Sequence, residues 1–496
     1  MRFHPDNASV LAFRLTLLAV GLLCGVAASS QQCSGTAARR TAARFDEIRR
    51  DPLVLRSFLY AFPKGADLHN HLAGAVYAES YIDWAADMQL CVDLSTHGFV
   101  EPAQDSPSNS RCEPGRQQPA TAALGDPALY RQIVDALSMR NHRPTDGSAR
   151  DHFFDAFGKL RAVARGGVQG SDRIAGQSLA EVARRAALQH VQHLEVIIPP
   201  DDSESRELAA GLPWRVPEDF AAFRDGLLKA GLRDALADRR RWIDSAEHVK
   251  RTRLGCDAGE DRPGCQLSMR YVAYVQRGMS PAQVFAQMLF AFELATADSR
   301  VVAVNPVQPE DEIVALRDYD LHMRMFAFMH RLYPNVGITL HAGELARGQV
   351  APGEIGWHVR RAVETGAGRI GHGADVMYDP HADDLLRDMA RRRIAVEINL
   401  TTNDYILGLR GPHHPLRHYL DAGVPVVIST DDEGVARTDL THEYQRAVEE
   451  HHVTYAELKQ ISRNGIDYAF LPDGEKRALK DRLEQALMVF ERSFEF

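Results

Sequence analysis

The stretch VGITLHAGELARGQVAPGEIGWHVRRAVETGAGRIGHG, residues 336–373, holds one complete strand–helix–strand unit. The β-branched run at 336–343 and the shorter run at 369–373 are typical of buried strands. Between them, PGEIGWHVRRAVETG (352–366) has the spacing of apolar residues that indicates a helix. A helix between two strands suits the crossover that parallel strands require, so the stretch predicts a βαβ unit.

The same alternation recurs along the chain. Helical patterns such as HADDLLRDMARRR (381–393) separate the later strand-like runs. Eight such units predict the α/β fold class, as a (β/α)₈ TIM barrel in which eight parallel strands close on themselves. The eight runs lie at 65–72, 191–198, 269–276, 300–307, 336–343, 369–373, 394–402 and 424–432.

Two connections are too long for a simple barrel. One follows the first strand, near 90–150, and the other follows the second strand, near 200–268. Long loops in compact domains are usually functional or mobile. We therefore predict a barrel over 61–453 with these two insertions, after an N-terminal segment at 31–60. Residues 454–496 are predicted to form two helices that pack on the outside of the barrel.

Residues 1–30 differ in character from the rest of the chain. Arg2 and Arg14 precede the apolar run LTLLAVGLLCGVAA (15–28), and small residues follow it. This pattern predicts a secretory signal peptide and a periplasmic or secreted protein. The alternative is an uncleaved membrane anchor, but the run is shorter than the ~20 residues that span a bilayer.

The composition is that of a soluble globular protein, with 45% hydrophobic and 25% charged residues among 496. The formal net charge of −9 argues against general affinity for nucleic acid or anionic membranes. We expect no nucleic acid partner and no stable membrane contact once the signal is removed.

Five cysteines lie beyond the apolar run. Export makes disulfides possible. Cys91 with Cys112, and Cys256 with Cys265, each flank a polar loop that contains Pro or Gly, so we expect these two pairs. Cys33 is left over, either free or paired with another chain.

Polar residues follow the ends of several predicted strands. His69 and His71 end the first run, in an i, i+2 spacing that places both side chains on one face. His341 and Glu344 end the fifth run, and His372 ends the sixth. Asn399 and Asn403 follow the seventh run, and Asp431 and Asp432 end the eighth. Since catalytic groups of a TIM barrel lie at the carboxyl ends of its strands, all of these should meet at one rim.

Three imidazoles and a carboxylate around an open position can form a catalytic zinc site. The predicted ligands are His69, His71, His341 and Asp431, with water as the remaining ligand. Zinc lowers the pKa of bound water to about 7. Glu344 would pass a proton, and His372 would orient the hydroxide or take its proton.

Each motif alone also fits a structural role. The His-x-His pair could be surface or core histidines, and Glu344 could be a helix N-terminal carboxylate. Asp431 and Asp432 could form a cap, and His372 a turn. HHPLRHYLDAG (413–423) predicts an amphipathic helix whose histidines face solvent or cap the site. The combination at successive strand ends favours a metal site, although ligand type alone does not separate zinc from other divalent ions.

The motifs DLHNHLAGA (67–75), HAGE (341–344), IGHG (370–373) and STDDE (429–433) resemble those of the adenosine deaminase family in the amidohydrolase superfamily. The export signal and the cysteine-bearing insertion are more similar to its secreted branch, the adenosine deaminase growth factors. The resemblance covers roughly residues 60–450.

The resemblance implies one Zn²⁺ per chain and hydrolytic deamination by zinc hydroxide attack at C6 of a purine. Glu344 would protonate N1, His372 would align the hydroxide, and Asp432 would hydrogen-bond N7. Binuclear relatives bridge two metals through a lysine after the fourth strand, whereas AVNPVQPED (303–311) has none. Gln308 and Asn403 complete the substrate contacts that we predict.

Two positions depart from the family pattern. Ala73 stands where an aspartate contacts the ribose, and Gln308 stands at about the place of a glycine that contacts the purine. We predict a purine nucleoside substrate, adenosine or 2′-deoxyadenosine, and a possible homodimer. The alternatives are a deaminase of adenine or a modified adenine nucleoside, and a secreted binding or signalling protein of the growth-factor type.

Overall fold

The computed structural model describes residues 36–102, 112–166, 170–214, 219–259 and 261–494. The predicted signal peptide and Cys33 lie outside these residues, as does the part of the loop between Cys91 and Cys112 at 103–111.

Strands in the described part of the chain form two sheets. In chain order they are β1 (Lys64–His71), β2 (Cys91–Asp93), β3 (Phe99–Val100), β4 (Gln117–Pro119), β5 (Val191–Ile198), β6 (Ser268–Gln276), β7 (Val301–Val307), β8 (Gly337–Ala342), β9 (Arg369–His372), β10 (Ala395–Ile398) and β11 (Val426–Ile428).

Helices fill most of the connections between the strands. In the first half of the chain they are α1 (36–48), α2 (Pro52–Ala61), α3 (Leu72–Ala75), α4 (Ala78–Asp87), α5 (Pro127–Ala136), α6 (Ala149–Ala164), α7 (Ser171–Leu188), α8 (Glu204–Ala210), α9 (Phe220–Lys229) and α10 (Leu236–Leu254). In the second half they are α11 (Pro281–Ala297), α12 (Ile313–Arg317), α13 (Tyr319–Leu332), α14 (His358–Thr365), α15 (Ala382–Arg392), α16 (Leu400–Leu407), α17 (Leu416–Asp421), α18 (Glu433–Ala436), α19 (Leu440–His451), α20 (Tyr455–Asp467) and α21 (Asp473–Arg492).

The larger sheet is a parallel barrel. Its eight strands are neighbours in the order β1, β5, β6, β7, β8, β9, β10, β11, and every pairing between them is parallel. The predicted (β/α)₈ fold class is confirmed. All eight predicted runs contain a barrel strand, because buried strands covered by helices on the outside read as nearly continuous apolar segments.

The barrel closes between its first strand and the segment after its last. Asn70 forms a parallel bridge with Asp431. The backbone N–H of His71 donates to the carbonyl of Asp431 at 2.9 Å, and the N–H of Asp431 donates to the carbonyl of His69 at 2.8 Å. We call this contact the seam of the barrel.

Helix α11 shows how the outer layer is held. Residues 284–294 are all buried, because the helix is apolar on every side and is covered both by the barrel and by other helices. The last two helices, α20 and α21, also contact barrel strands. In α20, the Ser462 hydroxyl donates to the carbonyl of Pro63 and Asn464 Nδ2 donates to the carbonyl of Val426.

Several boundaries differ from the sequence prediction. The run at 394–402 ends as a strand at Ile398, and a helix begins at Leu400. The helix predicted from residue 352 begins at His358, because Gly356 has a φ of +86° and donates its N–H to Asp375. Turns of this kind depend on contacts with distant residues, which periodicity does not report.

The connection between β1 and β5 forms a cover beside the barrel. Strands β3, β2 and β4 make a small antiparallel sheet. Helix α6 packs Phe153 and Ala156 against Ala346, Ala374 and Val435, which follow three different barrel strands. The cover therefore reaches over the rim at which the predicted site residues lie.

Both expected disulfides are present, Cys91–Cys112 in this connection and Cys256–Cys265 in the next. None of the helices in the described part of the chain is both long and apolar enough to cross a membrane.

Candidate active site

Three predicted imidazoles meet at the carboxyl ends of the barrel strands. His69 and His71 come from β1, and His341 comes from β8. Nε2 of His341 lies 3.1 Å from Nε2 of His69 and 3.2 Å from Nε2 of His71. His69 and His341 are buried, and His71 is half-buried.

Asp431 joins this group through the seam. Its Oδ1 lies 3.6 Å from Nε2 of His69 and 3.4 Å from Nε2 of His71. The Thr402 hydroxyl donates to Oδ2 at 2.7 Å, which orients the carboxylate. The residue has a φ of +61°, a left-handed conformation that aspartate tolerates better than most residues.

Two buried side chains that the sequence analysis missed hold the imidazole rings. Nδ1 of His69 donates to Glu397 at 2.7 Å, and Nδ1 of His341 lies 2.6 Å from Oδ1 of Asn305. Both Nε2 atoms therefore face the centre of the group, as metal-ligating histidines do when their other nitrogen is engaged. The available signal was a polar residue inside an apolar strand, Glu397 in IAVEI and Asn305 in VVAVN.

His372 lies on the other side of the centre. Its Nε2 is 3.9 Å from Oδ2 of Asp431, and its Nδ1 accepts a hydrogen bond from Nδ2 of Asn403 at 2.9 Å. Asn403, predicted as a substrate contact, is fully buried against this ring. Nε2 of His372 has no hydrogen-bond partner among the described residues.

Four of these residues can approach one ion. Ligand atoms of His69, His341, His372 and Asp431 all lie within 4.8 Å of one another. His71 is equally close to His341 and Asp431 through its Nε2. The structure thus brings together all four predicted metal ligands, with His372 beside them.

The electrostatics of the group suit a cation. Burial lowers the pKa of His71 to about 4, that of His372 to about 3 and that of His341 well below its usual range. Burial opposes the charge of Asp431, but the neighbouring histidines hold its pKa below the ordinary value. Neutral imidazoles and an ionised carboxylate are the forms that bind divalent metals. His69 differs from the other rings, because burial lowers its pKa but the hydrogen bond to Glu397 and the negative charges of Glu397 and Asp431 together outweigh burial and raise it.

Glu344 is buried beside this centre, with Oε1 3.6 Å from Nδ1 of His372. Burial and the negative charge of Asp431 raise its pKa well above the usual range, which favours the protonated form of the carboxyl group. Its loop is held by Glu310, whose two oxygens accept the N–H groups of Gly343 and Glu344 at 3.0 and 2.9 Å. Sequence reasoning missed Glu310 because it contacts backbone.

Asp432 is buried, and its Oδ1 has no hydrogen-bond partner among the described residues. Burial and the adjacent Asp431 raise its pKa well above the usual range. A Cβ at Gly74 would lie 1.7 Å from that same Oδ1, so only glycine leaves room for this carboxyl group. Asp432 can therefore offer a hydrogen bond to a bound molecule.

The two residues that depart from the family pattern have different surroundings. Ala73 packs against an apolar cluster and offers no polar side-chain atom. Gln308 is exposed with a φ of +87°, and its Oε1 accepts the N–H of Gly278 at 2.7 Å. A glycine would adopt this backbone conformation without strain.

Imidazole and carboxyl groups gather at the carboxyl ends of the strands of an eight-stranded α/β barrel, which is where enzymes with this fold have their active sites. The family model described as adenosine deaminase matches residues 125–486. The chain belongs to the adenosine deaminase family.

Curated relatives match a shorter part of the chain. The adenosine deaminase of Shewanella loihica is 39% identical over 145 residues, which are 29% of this chain and 41% of the relative. That of Shewanella denitrificans is 38% identical over 146 residues, with the same shares. The chain thus spans about two fifths of the length of these relatives.

Solved structures share the fold over most of the chain. An amidohydrolase from Burkhoderia ambifaria with bound Zn has a TM-score of 0.56 at 19% identity, covering 88% of this chain and 94% of its own. The Arabidopsis N6-mAMP deaminase has a TM-score of 0.56 at 18% identity, covering 86% and 99%. The adenine deaminase of Arthrobacter aurescens has a TM-score of 0.53 at 16% identity, covering 85% and 98%.

Proposed function

We propose that this protein hydrolytically deaminates a 6-aminopurine nucleoside, adenosine or 2′-deoxyadenosine, and uses one zinc ion per chain. The observation that carries the proposal is the buried convergence of imidazoles and Asp431 beside the buried carboxyl group of Glu344, whose pKa is raised by burial and by the charge of Asp431. Membership of the adenosine deaminase family supports it.

The residues fit a metal ion. Nε2 of His341 lies 3.1 and 3.2 Å from Nε2 of His69 and of His71, and Oδ1 of Asp431 lies 3.6 and 3.4 Å from the same two atoms. In a neutral imidazole whose Nδ1 carries the proton, Nε2 can only accept a hydrogen bond. Neutral imidazoles that face one another through such Nε2 atoms therefore cannot all form hydrogen bonds with each other. A cation resolves this conflict, and His69, His71, His341 and Asp431 would hold it.

In the proposed reaction, bound zinc supplies a nucleophile at neutral pH by lowering the pKa of water. Glu344 donates its proton to N1 of the purine, which makes C6 more electrophilic. The carboxyl group of Asp432 hydrogen-bonds N7, and His372 faces the incoming oxygen. Water adds at C6, and one of its protons replaces the proton that Glu344 gave to N1. Its other proton goes to the leaving amino group, so that ammonia departs and a 6-oxopurine remains.

A second candidate substrate class is adenine or a modified adenine nucleotide or nucleoside. Two structural neighbours are named for such activities, an adenine deaminase and an N6-mAMP deaminase. Within this class Ala73 favours adenine, because its side chain offers no hydrogen bond to a ribose. Losing one such bond costs discrimination of roughly 1–3 kcal/mol.

We also propose that the protein is exported to the periplasm or the medium. The signal-like pattern at 1–30 and the two disulfides support this location, because disulfides persist in oxidising compartments. The secreted-branch resemblance and a homodimer stay predictions.

The first experiment measures ammonia release by the purified protein from adenosine, 2′-deoxyadenosine, adenine, AMP and N6-methyl-AMP. Each substrate is tested as purified, with a chelator, and after zinc is added back. His341→Ala is the matched inactive variant. Chelator-sensitive turnover of a nucleoside would support the proposal. Turnover of adenine alone, or of a nucleotide alone, would favour the second candidate substrate class instead.

If the zinc-bound protein released no ammonia from any of these substrates, the proposal would be contradicted. A partner that binds wild type and His341→Ala equally well would then favour the alternative, a secreted binding or signalling protein.

A further inference from the structure

A buried row of three polar side chains leads from α17 to the candidate site. His414 lies just before α17, Asn403 lies on α16, and His372 ends β9. Nε2 of His414 is 3.1 Å from Oδ1 of Asn403, and Nδ2 of Asn403 is 2.9 Å from Nδ1 of His372. All three are at most 2% exposed.

The direction of every hydrogen bond in this row follows from one backbone group. The N–H of Leu416 donates to Nδ1 of His414 at 3.2 Å, and a backbone N–H can act only as a donor. Nδ1 of His414 is therefore an acceptor, and in the neutral ring the proton is on Nε2.

The proton position on His414 also determines the hydrogen-bond directions at Asn403 and His372. Since Nε2–H of His414 donates, the Asn403 atom that faces it must be the oxygen, and the amide nitrogen faces His372. An amide N–H donates to Nδ1 of His372, so this nitrogen is an acceptor and the proton of the neutral ring is on Nε2.

A second amide agrees with this direction. Nδ2 of Asn399 lies 3.4 Å from the same Nδ1. Glu344, at 3.6 Å from Nδ1, is beyond hydrogen-bond distance. Nε2 of His372 faces Asp431 at 3.9 Å and has no hydrogen-bond partner among the described residues. Its N–H therefore points toward the centre of the site, where Asp431 lies.

We propose that His414 and Asn403 are positioning residues that hold His372 in its Nε2–H tautomer. His372 then acts as a hydrogen-bond donor that orients the attacking oxygen, and it does not accept the proton of the water. Acceptance would need an unprotonated Nε2, which is the opposite tautomer. The catalytic meaning of this assignment rests on the proposed function, whereas the tautomer itself does not.

The test is ¹⁵N NMR of the histidine rings in the metal-free protein. The chain has 21 histidines, and the signals of His372 are identified by their loss in His372→Gln. We expect a protonated Nε2 and an unprotonated Nδ1 in the wild type. In Asn403→Asp, a carboxylate of the same shape accepts from Nδ1–H, so the tautomer should reverse.

Kinetics give a second readout on the zinc-loaded enzyme. Asn403→Asp should lower kcat about 10- to 100-fold with KM nearly unchanged, which is the effect of losing one aligned hydrogen bond in the transition state. His414→Gln keeps a donor toward Asn403 and should preserve the tautomer and most of the activity, whereas His414→Leu should not. Asn141→Asp, the same change at an exposed position, should leave both readouts unchanged.

A wild-type His372 protonated on Nδ1 would overturn the proposal. So would an Asn403→Asp protein that keeps the Nε2–H tautomer, or equal activity of His414→Gln and His414→Leu. If NMR shows the expected tautomers but no substrate turns over, the proposed function fails while the tautomer assignment stands.

Discussion

The carboxyl group of Glu344 is the proton donor in the proposed reaction, although it is not among the proposed metal ligands. Glu344→Gln replaces it with an amide of nearly the same size that cannot protonate N1. We expect metal content to be unchanged and kcat to fall by about 100-fold or more. Metal analysis and steady-state kinetics check this, and a near wild-type rate would remove Glu344 from the mechanism.

The raised pKa of Glu344 also predicts a pH dependence. A carboxyl group with a raised pKa stays protonated to a higher pH than an ordinary one and loses its proton as the pH rises through the pKa in the folded protein. Because the protonated form is the active one, kcat should fall on the alkaline side. The residual rate of Glu344→Gln should lack this decline, and an identical decline in the variant would assign it to another group.

Gly74 tests the contact of Asp432 with the substrate. A Cβ at Gly74 would clash with Oδ1 of Asp432, whereas a Cβ at Gly353 would meet nothing within 4 Å. Gly74→Ala should displace Asp432 and lower kcat/KM about tenfold or more, as expected for the loss of a hydrogen bond to the purine. Gly353→Ala is the matched control, and equal kinetics of the two variants would contradict the role of Asp432.

At the scale of single residues, the sequence predicts the polar residues at the ends of the strands. It does not predict the residues that form hydrogen bonds with them. His69 and His341 stand out by their motifs. Their partners Glu397 and Asn305 lie on other strands, 328 and 36 residues away. Only the register of the closed barrel brings such residues together, so spacing along the chain does not identify them.

At the scale of elements, α6 is the part of the cover that reaches the rim. Arg150, in its first turn, donates to both oxygens of Asp311 at 2.6 and 2.7 Å and to Glu312 at 2.9 Å. Asp311 and Glu312 follow Glu310, whose carboxylate holds the loop of Glu344. The ion pair thus joins the cover to the segment that positions the proton donor.

Arg150→Ala should loosen α6 without unfolding the barrel. We expect faster hydrogen exchange of backbone amides over 149–164 and an unchanged rate in the barrel strands, because local opening depends on local contacts. Arg161→Ala, at an exposed position of the same helix, is the control. Equal exchange in the two variants would show that the apolar contacts of α6 hold it alone.

The order of strands and helices could be predicted from the sequence, because the barrel strands are mostly buried and most of the outer helices are amphipathic. The exact ends of these strands and helices could not be predicted. The strand predicted over 424–432 covers only Val426–Ile428, since the chain leaves the sheet to place Asp431 in a left-handed conformation. A functional constraint replaces the local preference there.

At the scale of the whole molecule, metal binding should stabilise the fold. The proposed ligands come from β1, from β8 and from the segment after β11, so one ion would join distant parts of the chain. A ligand present at 100 times its Kd adds about 2.7 kcal/mol to the free energy of unfolding. Calorimetry should show a lower Tm with a chelator and recovery with zinc.

His341→Ala is the control for this prediction, because it removes one ligand and should respond weakly to zinc. A wild-type Tm that does not change with chelator or zinc would contradict the metal site.

The seam has a consequence for how the protein is made. Residues 69–71 and Asp431 are separated by 360 residues of chain, yet their backbones meet directly. A growing polypeptide therefore has no complete set of ligands until nearly all of it has emerged. If the chain is exported unfolded, it crosses the membrane without its ion and acquires zinc from the compartment in which it folds. Metal supply outside the cytoplasm would then decide how much of the protein becomes active.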